Sequence, residues 1–121
     1  NQKRDLMNLE ETINALDLKI LTTPKDFSAI PVKSGYCSDL LSCVMTAASP
    51  EGVWVTLMAH SNIIAVAALL DLSAIIITEN AQPDQDTIKK ADDKDVILLS
   101  SSFDNFHTIG QLWELGVRAQ N

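Results

Sequence analysis

Glycine, cysteine and aromatic residues are scarce in this 121-residue chain, which has four glycines, two cysteines and only three Phe, two Trp and one Tyr. Gly35, Gly52, Gly110 and Gly116 stand too far apart to form Gly-x-Gly-x-x-Gly or a Gly-x-x-x-x-Gly-Lys-Ser loop, so neither phosphate-cradling motif is present. Cys37 and Cys43 are too few for a disulfide framework and lack Cys-x-x-Cys spacing; they fit small, half-buried hydrophobes in a reducing cytosol. The longest apolar run, Ile63 to Leu70, falls well short of the roughly 18 to 20 residues that span a bilayer. The start, Asn1-Gln2-Lys3-Arg4-Asp5, is basic, but Glu10 and Glu11 follow where a signal peptide needs an apolar core. A cytoplasmic protein is expected, and the missing initiating Met points to a tag or a longer product that has been trimmed.

Positive charge is thin as well. Nine Lys and Arg face sixteen Asp and Glu, for a net charge of −7. Such a surface repels phosphate backbones and anionic headgroups, so neither nucleic acid nor membrane is expected as a partner. Gly-x-Ser-x-Gly, the nucleophile elbow, is absent, and Ser61 beside His60 lacks the orienting acid of a triad. His60 and His107 lie on separate segments without the accompanying ligands a metal needs. The acidic run containing Asp84, Asp86, Asp92, Asp93 and Asp95 lacks the calcium-loop order and its Gly, and fits a solvated face. No catalysis, no metal and no cofactor are expected.

What the chain does contain is hydrophobic periodicity. Its length and its 46% hydrophobic content suit one domain over residues 1–121 with a single core. Leu6, Leu9, Ile13 and Leu16 recur at helical steps. Leu18 to Thr22 and Ile30 to Lys33 are short strand candidates, the second weakened by Pro31. Ser34 to Cys37 reads as a loop leading to a helix with Leu41, Val44, Met45 and Ala48 on one stripe. Val53 to Met58, Ala74 to Thr78 and Val96 to Leu99 are the continuous apolar runs of strands covered on both faces. Between them lie Ile63 to Asp71, apolar almost all round and suited to burial between the sheet and a second surface, and a short helix opened by Pro83. The last helix carries Phe103, Phe106, Gly110 and Trp113 on one stripe and stops at Gly116.

Strands alternating with helices predict an α/β fold: a single-domain three-layer α/β/α arrangement with a mainly parallel sheet of four to five short strands. Right-handed crossovers predict helices on both faces, and ligands in such sheets sit at the carboxyl ends of the strands. That rule gathers Ser38, His60, Ser61, Asn62, Thr78, Ser100, Ser101 and Ser102 onto one rim as candidate ligand-binding residues. Helix starts behind His60-Ser61-Asn62 and Ser100-Ser101-Ser102 offer N–H groups to a phosphate or carboxylate. Ser38, Asn62 and Ser102 equally suit plain helix caps, and His60 a structural hydrogen bonder.

The segment Ser34-Gly35-Tyr36-Cys37-Ser38-Asp39-Leu40-Leu41-Ser42-Cys43-Val44-Met45, followed by Val53 to Ala67, resembles the DRTGG domain, above all the small stand-alone type encoded beside iron hydrogenase and other redox genes. The likeness spans roughly Leu6 to Val117. His60-Ser61-Asn62 and Thr78-Glu79-Asn80 stand where the Asp-Arg and Thr-Gly-Gly elements that name the family belong. The resemblance implies an α/β module that pairs as a homodimer, serves as a regulatory appendage to phosphate acetyltransferases and pyrophosphatases, and is similar to the amino-terminal domain of HPr serine kinases. Two functions follow. One is a non-catalytic regulatory or sensor module that binds a small anionic metabolite or nucleotide at the rim and regulates a redox-enzyme subunit. The other is a structural protein-protein interaction module, dimerising or docking through Ile63 to Leu70 or Phe103 to Trp113.

Overall fold

The computed structural model describes residues 7–120. Leu6, expected on the opening helix, lies outside them. A two-residue strand, β1 (Met7–Asn8), precedes α1 (Leu9–Leu16), which starts later than apolar spacing predicted because Asn8 caps it. The Asn8 side chain accepts from the Glu11 N–H at 2.8 Å, and the Glu11 carboxylate accepts from the Asn8 N–H at 3.0 Å. This reciprocal box satisfies two N–H groups that a helix start leaves orphaned. Leu9, Ile13 and Leu16 are buried, as their spacing predicted.

Next come β2 (Lys19–Ile20), a 3-10 turn (Phe27–Ala29) and β3 (Pro31–Val32). The last pairs antiparallel with β1, outside the main sheet; Pro31, with no N–H to give a ladder, suits such an edge. The order then runs β4 (Gly35–Cys37), α2 (Leu41–Ala47), β5 (Val53–Thr56), α3 (Asn62–Leu69), β6 (Ala74–Ile77), α4 (Gln85–Asp93), β7 (Leu98–Ser100) and α5 (Asn105–Glu114). Gly35 to Cys37, expected as loop, is instead a strand. Alone it has no strand signal; its register beside Val53, Trp54 and Val55 makes it one.

The five-stranded sheet has the order β2-β7-β6-β5-β4, with β4 to β7 parallel and β2 antiparallel at one edge. From β4 to β7 the order is sequential, so successive crossovers of one hand put α2, α3 and α4 on the same face. There Val44, Ile63, Ile64, Ala67 and Ala91 pack on Trp54, Ile75 and Ile77. On the other face Leu9, Ile13 and Leu16 of α1 and Leu112 of α5 meet Val53, Val55, Ile76 and Leu99. The three-layer α/β/α architecture is as expected, but the crossover helices occupy one face, and the second layer comes from the two terminal helices.

The surroundings of α3 and α5 also differ from expectation. The second surface over α3 is supplied by its neighbours α2 and α4, which flank it in the same layer. On α5 the buried residues are Thr108 and Leu112, whereas Phe106 (90%) and Trp113 (57%), and Phe103 (46%) just before the helix, are exposed. The aromatic stripe faces outward; hydrophobicity alone does not say which side of a helix meets the sheet. Gly116 does end it, with φ at 99°. Among the described residues no helix is long and apolar enough to cross a membrane.

Candidate functional site

Because β4 to β7 are parallel, their carboxyl ends open on one edge, and the candidate residues that follow them gather there. Most of the edge is tied to itself. The Thr56 hydroxyl donates to Asp39 Oδ1 at 2.6 Å, the Leu57 N–H to the same oxygen at 2.8 Å, and the Met58 N–H to Thr56 Oγ1 at 3.1 Å. Trp54 Nε1 donates to the Ser38 carbonyl at 2.9 Å. Asp39 thus fixes the loop after β5 to the loop after β4. Sequence reasoning passed over it, since an aspartate after a serine looks like an ordinary helix start.

The loops after β6 and β7 are joined in the same way. The Glu79 N–H donates to the Phe103 carbonyl at 2.8 Å and the Asn80 N–H to the Ser101 carbonyl at 3.1 Å. Buried Thr78 donates its hydroxyl to Asn105 Oδ1. The Ser101 hydroxyl shares a 3.2 Å hydrogen bond with Thr108 and accepts from the Phe103 N–H at 3.1 Å. Ser38 accepts from the Leu40 N–H at 3.1 Å, and Ser100 is buried in β7 opposite Lys19. Ser38, Thr78 and Ser101 are therefore occupied by structure.

His60, Ser61, Asn62 and Ser102 are different. His60 Nδ1 accepts from the Asn62 N–H at 3.1 Å, which in the neutral ring assigns the remaining proton to Nε2, and no hydrogen bond joins His60 to the Ser61 hydroxyl among the described residues. The two do not form a nucleophile and base pair. The side chains of Ser61, Asn62 and Ser102 make no hydrogen bond among the described residues. None of Ser38, Asn62 and Ser102 caps a helix through its side chain: Leu40 and Ser61 hold the cap positions of α2 and α3 without a side-chain bond. Asp84 and Asp104 cap α4 and α5, each accepting a 2.8 Å bond, from the Thr87 and His107 N–H respectively.

Charge at this edge is mostly negative. The Asp84 carboxyl is held below its ordinary range, first by the Thr87 N–H and in smaller part by the neighbouring charge of His60. Asp39, Glu79 and Asp104 add carboxylates, against the cation of Lys19 beside Ser100. Among the described residues no three of His, Cys, Asp and Glu come together to hold a metal ion.

A separate apolar cavity of about 150 Å³ lies between β4 and α5, lined by Cys37, Val55, Ile109, Leu112, Trp113 and Val117 among others. Burial, and then the charge of Asp39, push the Cys37 thiol up.

The chain matches the DRTGG domain over residues 41–115, more than half its length. It belongs to the DRTGG domain family. This DRTGG chain is also similar to the CBS and DRTGG domains of the regulatory region of Clostridium perfringens pyrophosphatase, a structure complexed with its activator diadenosine tetraphosphate. The match has a TM-score of 0.70 at 15% identity, covers 87% of this chain and 45% of that one, and shows a shared fold. No curated protein matches the chain.

Glu79 and Asn80, in the loop after β6, take φ of 61° and 55°. That left-handed region suits glycine and strains a residue with a Cβ.

Proposed function

We propose that this DRTGG chain is a non-catalytic regulatory module of the cytoplasm that senses a nucleotide or another small anionic ligand at the carboxyl edge of its sheet. The observation that carries this reading is the contrast within the edge. Ser38, Thr78 and Ser101 fasten the loops into a rigid frame, while His60 Nε2 and the side chains of Ser61, Asn62 and Ser102 are left with hydrogen-bonding capacity. Rigid frames with a few free polar groups suit recognition, because little is ordered on binding. The activator in the pyrophosphatase neighbour is a nucleotide, which supports the ligand class. The surrounding carboxylates direct recognition toward the base and sugar hydroxyls of a nucleotide, with phosphate charge screened or turned to solvent. We propose a redox-enzyme subunit as the regulated partner, on the resemblance to the stand-alone DRTGG type alone.

Thermal melts with diadenosine tetraphosphate and with ATP test this reading. Ligand bound to the native state alone raises the melting temperature. The rise is expected with the parent chain and is lost in the His60→Ala/Asn62→Ala double variant, which unfolds as cooperatively as the parent without ligand. An equal rise in the variant removes these residues from the site.

A second reading has its own observation. The outward apolar side chains of Phe106, Ile109 and Trp113 on α5, with Phe103 just before it, are the kind of surface that marks protein interfaces, and they suit pairing of two copies or docking on a partner.

A further inference from the structure

The cavity between β4 and α5 is apolar in its body and cationic at one end. Cys37 and Val55 form its floor, and Ile109, Leu112 and Trp113 of α5 form a wall. The chain after α5 turns back over it: the Gly35 N–H donates to the Arg118 carbonyl at 3.0 Å, which brings Val117 and Arg118 to the opening. The Arg118 guanidinium lies 3.6 Å from the Trp113 ring centroid. Its Nη1 donates to the carbonyls of Trp113 at 2.8 Å and Val117 at 3.0 Å. Nε and Nη2 make no hydrogen bond among the described residues, and together they form the planar edge that takes a carboxylate bidentately.

Size and charge together specify an occupant. At about 150 Å³ the cavity, open to solvent at its mouth, has the volume of one that accepts a molecule the size of benzene. Asp39 raises the Cys37 pKa through its charge, so a negative group lies near the Cys37 end, while Arg118 stands by Gly35 at the start of β4. A small acid would therefore enter with its apolar body toward Cys37 and its carboxylate on Arg118.

We propose that this cavity is a binding site for a small monocarboxylic acid with an aromatic or compact apolar body, of the size of benzoate. The site shares no residue with the strand-end edge, so the two stand or fall separately. Fluorine NMR with 4-fluorobenzoate and with fluorobenzene tests it on the parent chain, Arg118→Gln and Cys37→Leu, with thermal melts confirming that each variant is folded. Both probes are expected to broaden and shift with the parent chain. Arg118→Gln, at an exposed position, weakens 4-fluorobenzoate by about tenfold and leaves fluorobenzene unchanged. Cys37→Leu fills the cavity and removes both signals, whereas His60→Ala changes neither. Absence of binding by the parent chain, equal affinity of Arg118→Gln for the benzoate, or binding that survives Cys37→Leu would each overturn the proposal.

Discussion

The two faces of the sheet are covered to different standards. Under α2, α3 and α4, the side chains of Trp54, Ile63, Ile64, Ile75 and Ile77 are at 0% exposure. Under α1 and α5 the core is equally closed at Leu9, Ile76 and Leu99, but α5 seats itself mainly through Thr108 and Leu112 and turns its aromatic side outward. The cavity beside Cys37 lies on this same face. The difference follows from connectivity. Three crossover helices are each held at both ends by neighbouring parallel strands, whereas α5 is held at its start by Asp104 and the loop after β7 and at its end by a short tail. One face is closed by its three helices, and the other leaves aromatic side chains exposed.

The sharpest way to break that comparison is to damage the closed face. Trp54 is fully buried, and its indole N–H fastens the loop after β4. Trp54→Ala is expected to cost about 3–5 kcal/mol, the range for truncating a large buried aromatic. Urea unfolding followed by circular dichroism measures it. A loss close to that of an exposed α5 substitution would mean the two faces are not built differently.

A smaller change probes the edge where both faces meet. Glu79 and Asn80 hold left-handed backbone without glycine, and Glu79 is exposed. Relief of that strain outweighs the added freedom of the unfolded chain, so Glu79→Gly is expected to stabilise by about 0.5–1 kcal/mol. The same urea series checks it, and destabilisation would show that the Glu79 side chain contributes more than its backbone conformation costs.

Legibility in the sequence tracked these regions. Val53 to Thr56 and Ala74 to Ile77 were plain, because a strand buried on both sides needs continuous apolar residues and shows them. The convergence of polar loops at the strand ends followed from the same pattern. β4 was illegible because its identity depends on pairing with β5, a long-range contact that Gly35-Tyr36-Cys37 does not encode locally. The orientation of α5 was misjudged because its aromatic stripe is more hydrophobic than the stripe with Thr108 and Leu112 that the sheet accepts. Within the edge, residue types were visible but their partners were not: Asp39 became important only when Thr56 and the Leu57 N–H were found on its carboxylate.

The smallest effect on stability belongs to the open face. Phe106 is 90% exposed, so Phe106→Ser removes almost no burial, and a change within about 0.5 kcal/mol is expected on unfolding. Its effect should appear in association. Light scattering coupled to gel filtration is expected to show the parent chain as a concentration-dependent dimer and Phe106→Ser shifted toward monomer, because an exposed aromatic at the centre of a patch dominates what the patch contributes. A parent chain that stays monomeric at every concentration would assign the stripe to a different partner and leave its exposure on α5 without a self-association role. A variant that dimerises like the parent while its unfolding is unchanged would place the contact elsewhere, with exposed Leu69 at the end of α3 the next residue to replace.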